Sequence, residues 1–324
     1  MRRRAFIGSL AAAIACPATA PAQTPHKRRI GVLMPTSSDD PTGRLHFAAF
    51  VQSLRQAGWK AGENMTLLIR WTSEKPDKNV NELVSLKPDV MLAAGSSQLA
   101  ALQQATSSIP TVFVSVSDPI AAGFVDNLAQ PTGNVTGFVN VENDIAVPWL
   151  KMLKQLAPFV RRVAVLRDRE NKSSLAQFEA LLSTAPSLAM AVTPIGTETE
   201  AAIERDLAAF ALSRNGGMIV PAGRAGAIHR SALIRLAAMY RFPTVYSDRR
   251  FVTEGGLISY GPDRTDQYRR AAGYVDRILK GAKPADLPIQ APAKYEMAVN
   301  LRTANEFVIT IPSELLARAD AVIR

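Results

Sequence analysis

Short, continuous apolar runs recur along the chain, and each gives way to a polar loop and then to a segment with helical spacing. "RIGVLMP" (Arg29 to Pro35) is the first, closing in "TSSDDPTG", a loop rich in helix-capping side chains. "RLHFAAFVQSLRQAG" follows, with Phe47, Phe50, Val51 and Leu54 on one face and Gly58 as its stop. "MTLLIRW", "DVMLAAG" and "TVFV" read as three further strands. "KNVNELVSLK" and "SQLAALQQAT" read as helices between them, with Ser96 or Ser97 as the expected cap of the second. Strands without polar alternation, separated by helices, mean βαβ units around a parallel sheet.

The alternation breaks once, over "SVSDPIAAGFVDNLAQPTGNVTGF" (Ser115 to Phe138), a loop of Asp, Pro, Gly, Asn and Thr too long to be a plain connection. It then restarts. "NVTGF", "RRVAVLRD", "LAMAVTP", "GGMIVP", "FPTVYS" and "GGLISYG" read as strands. "AVPWLKMLKQLAP", "SLAQFEALLSTA", "TEAAIERDLAAFAL", "GAIHRSALIRLAAMY" and "TDQYRRAAGYVDRIL" read as helices. The chain therefore carries two βα series, one from Arg29 and one from Arg161, and at 324 residues it is too long for one ordinary core. The expected fold class is α/β: two doubly wound parallel-sheet lobes with a ligand cleft between them, lined by loops at the carboxyl ends of the strands.

Composition adds little to that picture, being 47% apolar and 20% charged with no low-complexity tract. The first residues change it more. "MRRR", the short apolar run "AFIGSLAAAIA" and the small-residue segment "PATAPAQ" read as a signal peptide over residues 1–22, cleaved after Ala22. Arg3 and Arg4, two ahead of Phe6, also fit twin-arginine export, and Cys16 in "AIAC" offers lipid anchoring as the less favoured outcome. Cleavage at Ala22 removes the one cysteine and lowers the formal charge from +10 to +7 through loss of Arg2, Arg3 and Arg4. The mature chain then holds no disulfide and no thiolate metal site. The remaining basic residues are scattered and not interleaved with aromatics, which argues against nucleic acid as a partner.

Catalytic motifs are missing from the sequence: there is no Gly-x-Ser-x-Gly elbow and no Walker loop, and His26, His46 and His229 lack metal spacing. The chain is expected to be no enzyme and to need no cofactor. His46 and His229 read as helix-surface residues, Trp59 and Trp71 as packing. Polar side chains instead collect at the strand ends. They are Ser37 after the first strand, Ser96 and Ser97 after the third, and Ser117 and Asp118 after the fourth. In the second series they are Asn171 and Ser173, then Arg224, then Tyr246 and Asp248. Any one serine is better explained by helix capping; their recurrence on both sides of one cleft suits an anionic or zwitterionic small ligand.

The order of motifs resembles the substrate-binding proteins of ABC transporters, including tryptophan-binding-like members. The matching stretches include "RIGVL", "PDVMLAAGSSQLAALQQATSSIPTVFVSVSDPIAAGFVDNLAQPTGNVTGF", "EGGLISYGPD" and "NLRTANEFVITIPSELLARADAVI". The resemblance implies a type I periplasmic binding-protein fold with three crossings between lobes. The lobes would be residues 23–140 plus 261–290 and residues 141–260 plus 291–324. It implies a monomer in the periplasm that closes on a small-molecule ligand and delivers it to an ABC permease in the inner membrane; an exported module feeding a receptor kinase is the alternative. Ser96, Ser97, Ser117 and Asp118 would line the cleft. "RDRENKSS" departs from the family's usual loop at Asn171, Ser173 and Ser174, and Arg224 stands where many relatives carry an aspartate. For an amino-acid-like ligand, Ser96 and Ser97 would hold the carboxylate and Asp118 the ammonium. The rival role for Asp118 is to fix the turn before Pro119.

Overall fold

A computed structural model describes residues 27–72, 77–140, 145–169 and 172–324, with backbone only at 77, 172 and 173. The expected signal peptide and Asn171 lie outside the described residues, as does the side chain of Ser173.

Five strands form the first sheet: β1 (Arg28–Met34), β2 (Met65–Trp71), β3 (Val90–Ala94), β4 (Thr111–Val116) and β5 (Val135–Val139). All pair in parallel, in the order β2-β1-β3-β4-β5. Strands β3, β4 and β5 are buried along almost their whole length, which is why their sequences do not alternate. Helices α1 (Pro41–Gln56), α2 (Asp77–Ser85) and α3 (Ser96–Ala105) connect them. Asp40 caps α1 by accepting from the Gly43 N–H at 2.8 Å, and Pro41 fills the first turn, where a missing N–H costs nothing.

The second lobe repeats the winding. Strands β6 (Arg162–Leu166), β7 (Ala191–Ile195), β8 (Gly216–Val220), β9 (Thr244–Tyr246) and β10 (Ile258–Pro262) lie in the order β7-β6-β8-β9-β10. Helices α4 (Ala146–Leu156), α5 (Lys172–Thr184), α6 (Glu200–Ala211), α7 (Arg224–Ile228), α8 (Arg230–Tyr240) and α9 (Arg249–Thr253) cover them. One continuous helix expected from Gly226 to Tyr240 is broken at His229 into α7 and α8. After β10 the chain forms α10 (Arg264–Leu279), β11 (Tyr295–Asn300), α11 (Leu301–Glu306), α12 (Ser313–Arg318) and β12 (Ala321–Ile323). Strands β11 and β12 extend the second sheet to seven strands, and β11 pairs antiparallel with β10, a single departure from parallel order.

Two elements from late in the sequence complete the first lobe. Tyr268, Ala271, Val275, Ile278 and Leu279 of α10 pack with Ile30, Val32, Phe50 and Leu54, all fully or almost fully buried. Residues 287–290 run beside β5, with Val139 N–H donating to Gln290 O at 3.0 Å and Gln290 N–H to Gly137 O at 3.0 Å. The chain thus passes between lobes after β5, between β10 and α10, and between Gln290 and β11. Gly261 and Pro262, expected in lobe one, pair with Glu296 and Tyr295 in the second sheet, so this passage begins two residues later than expected. The second and third passages are tied by Asp263 N–H donating to Lys294 O at 2.9 Å.

Gly261 permits the close approach of β10 to the segment after β9. A β-carbon there would stand 1.9 Å from the Ser247 carbonyl oxygen, and that neighbour is backbone. Gly261→Ala is expected to destabilise the protein by about 1–3 kcal/mol in urea unfolding. A wild-type midpoint would mean that the Ser247 segment yields freely.

Candidate functional site

The carboxyl ends of both sheets open on one cleft of about 650 Å³. In the 2-1-3-4-5 order the switch point lies between β1 and β3 in lobe one, and its counterpart lies between β6 and β8 in lobe two. That is where loops on either side of a crevice diverge and leave room for a ligand. The cleft is lined by Gly95 to Gln98 after β3, by Ser115 near the end of β4, by Ser117 and Asp118 after it, and by Asn140 after β5. From lobe two come Gly223 and Arg224 after β8 and Arg250 after β9, with Arg264 following β10. An inner chamber of about 270 Å³ shares Gly95, Ser115, Arg250 and Arg264 with it and adds Met34, Thr36, His46 and Tyr268.

Local sequence explains the lobe-one wall. Gly95 caps α3 at φ 101°, a left-handed conformation that favours glycine, so neither serine is the cap expected of it. Ser96 and Ser97 stand instead in the first turn, both exposed and both on the cleft. At Ser115 the β4–β5 register slips between Phe113 and Val116, and the residue takes φ 59°. A slip of this kind re-aims a side chain, and it places Ser115 on both chambers. Gln267 holds the slip in place: its Oε1 accepts from Ser115 N–H at 3.2 Å and its Nε2 donates to Val139 O at 3.0 Å. The long loop after β4 is turned at its start by Asp118, whose Oδ1 accepts from Ala121 N–H at 2.9 Å. Asp118 therefore fixes a turn and lines the cleft. Thr36 Oγ1 and Asn140 Oδ1 are buried and have no hydrogen-bond partner among the described residues.

Other expected site residues fall elsewhere. Ser37 is exposed and bonds to the Asp39 carboxylate; its neighbour Thr36 lines the chamber in its place. Tyr246 is 1% exposed and stacks on Phe251 at 4.6 Å within the lobe-two core, out of a ligand's reach. Burial also pushes its phenol pKa up. Arg224 is exposed at the start of α7 and does line the cleft.

Asp248 is not a free carboxylate. It caps α9 through Arg250 N–H at 2.9 Å and pairs with Arg250 at 3.2 Å and Arg264 at 2.7 Å. Burial works against its charge, but Arg264 and Arg250 outweigh that and hold the carboxyl far below its ordinary pKa. Both arginines were missed in the sequence, Arg250 because "RR" reads as surface charge and Arg264 because it only opens a helix. His46, expected on a helix surface, stacks on Tyr268 at 4.9 Å and 16°; burial and then Arg264 lower its pKa to about 4, leaving it neutral at pH 7. A third recess, of about 210 Å³, lies on the α1 side of Arg250 and Arg264 and ends at Glu296. Burial raises the Glu296 pKa to about 7, with Asp263, Asp248 and Asp320 adding to the shift and Arg249 opposing it.

Among the described residues no cluster of three His, Cys, Asp or Glu side chains could hold a metal, and no helix is long and apolar enough to cross a membrane. The arrangement offers hydroxyls, amides and guanidinium donors between two lobes, a setting for binding.

Residues 30–323 match the family described as ABC transporter substrate binding protein. The tyrosine-binding protein of Clostridioides difficile (strain R20291) is 23% identical over 257 residues, 78% of this chain and 73% of that one. Among solved structures, an ABC domain from Streptococcus pneumonia in complex with L-Trp superposes with a TM-score of 0.79 at 24% identity, over 92% of this chain and all of that one. The ligand-free, open structure of a Clostridium difficile substrate binding protein with adhesive properties gives 0.74 at 23% identity, over 91% and 99%. At these identities the structural likeness establishes a shared fold.

Proposed function

The chain belongs to the ABC transporter substrate-binding protein family, and on that premise we propose that it is the periplasmic solute receptor of an importer. It captures a small polar or amino-acid-like ligand between its lobes and delivers it to an inner-membrane permease. The observation that carries this reading is the cleft of about 650 Å³, walled from both lobes by strand-end loops. A ligand there gains contacts to both walls only when the lobes approach, so hinge closure is part of the proposal. The names of relatives that bind tyrosine and tryptophan favour an amino acid. The protein acts as a monomer, exported by its first 22 residues. Mass spectrometry of compounds released from the purified protein by denaturation tests the ligand class. Small-angle scattering tests closure, with a smaller radius of gyration expected once that compound saturates the protein. An unchanged radius at saturation would count against it.

Asp118 separates two versions of the site. Asparagine keeps an oxygen for the Ala121 N–H but removes the charge. If Asp118 meets a ligand ammonium, Asp118→Asn weakens binding by about 2–5 kcal/mol while the empty protein melts as before. If its role ends with the turn, calorimetry will find affinity intact.

A further inference from the structure

Arg250 and Arg264 reach one point from different elements, α9 of lobe two and the first residue of α10. Asp248 holds them there: Oδ1 accepts from Arg250 Nε at 3.3 Å, and Oδ2 lies 3.2 Å from Arg250 Nη2 and 2.7 Å from Arg264 Nη2. Each guanidinium has five N–H donors; this carboxylate takes two from Arg250 and holds Arg264 as an ion pair. Neither guanidinium makes another hydrogen bond or ion pair among the described residues. Both side chains are 26% exposed, so bulk water reaches them poorly, and both line the main cleft and the inner chamber. Asp40 and Glu254 also act on Arg250, and Glu296 on Arg264, but only from beyond ion-pair distance, so one carboxylate is in contact with two positive charges at that point. The other acids on these walls, Asp40 and Asp118, each give an oxygen to a backbone N–H of their own turn. By contrast, Ser96 and Ser97 offer exposed hydroxyls that water satisfies equally well.

We infer that Arg250 and Arg264, locked side by side by Asp248, are the seat of a ligand carboxylate, so that the solute is a carboxylic acid whatever its other end. In an amino-acid ligand this group docks on the arginines and not on the serines of α3. Paired guanidiniums match a carboxylate in geometry and charge, and such bonds are about twice as strong as neutral ones. Asp248 is a positioning residue that fixes both forks before the ligand arrives. The inference rests on the reading of the cleft as a solute site and names the chemical class that site takes.

Thermal-shift screening of the full protein tests it, with a library of amino acids, amines, carboxylates and sugars. The library includes L-tyrosine, tyrosinamide, tyramine and 3-(4-hydroxyphenyl)propionate. Every stabilising probe is expected to carry a carboxylate. In calorimetry, Arg250→Gln and Arg264→Gln should weaken that probe by about 30-fold or more, and Ser96→Ala with Ser97→Ala by less than about threefold. Arg264→Lys keeps the charge beside Asp248 but loses the fork, so it guards against misfolding. It should melt like the wild type and still bind more weakly. Amides or amines that bind as tightly as the acids, or folded arginine variants with wild-type affinity, overturn the seat and leave the solute receptor standing. A library in which nothing shifts the melting point overturns the receptor reading and the seat with it.

Discussion

Replacing Asp248 with asparagine is expected to destabilise the empty protein by about 3–5 kcal/mol at pH 7, because two half-buried guanidiniums are left facing each other. The carboxylate is 11% exposed and sits 2.7 Å from Arg264. Its folded pKa lies far below the ordinary 3.8. The stability it contributes is therefore fully present above about pH 4 and is lost as pH falls from there toward the folded value. Urea unfolding at a series of pH values should show the gap between wild type and variant closing only in that acid range. A loss under about 1 kcal/mol at pH 7 would mean that solvent already screens the arginines from each other.

The second large effect is one the wild type conceals. His46 has its pKa lowered from 6.5 to about 4 by burial and by Arg264. Folding therefore disfavours its protonation, and stability falls as pH drops from 6.5 to about 4. Glu296 runs the other way. Its pKa is raised from 4.5 to about 7, so stability grows as pH drops from about 7 to 4.5. Each displacement is worth roughly 3 kcal/mol at most, and between pH 4.5 and 6.5 the two oppose each other. The wild type should be nearly indifferent to pH there. His46→Gln should become more stable on acidification and Glu296→Gln less stable, whatever constant offset the lost Tyr268 stack adds. Parallel slopes for the two variants in denaturation series would sink this account.

Most of the fold was legible because its signal is local. Continuous apolar runs such as "VMLAA" and "MIV" are what a doubly covered parallel strand needs, and the observed strands β3 and β8 coincide with them. The C-terminal elements β11, α11, α12 and β12 were not read from periodicity, being three to six residues long and packed by non-local contacts. The site was half legible. Ser96, Ser97, Ser117, Asp118 and Arg224 do line the cleft, since strand-end loops announce themselves by composition. Tyr246 failed because a strand three residues long gives no phase by which to tell core face from cleft face. Arg264 and His46 were missed because what distinguishes them is a partner further along the chain, Asp248 for Arg264 and Tyr268 for His46, whereas Arg250, two residues from Asp248, was hidden in a pair that reads as surface charge.

The late arrival of α10 has a kinetic consequence. Ile30, Val32, Phe50 and Leu54 lack part of their cover until Tyr268, Val275 and Ile278 exist to pack on them. Trp59 likewise waits for Asp276, whose carboxylate accepts from its Nε1 at 2.8 Å. The first lobe to be synthesised thus cannot finish folding until α10 has been made, and its closing contacts on α10 span more than two hundred positions of chain. Contacts of that separation slow folding. The nascent N-terminal half lacks these contacts until most of the polypeptide has been made, and a fragment ending at residue 140 is expected to be less stable than the same residues in the whole chain.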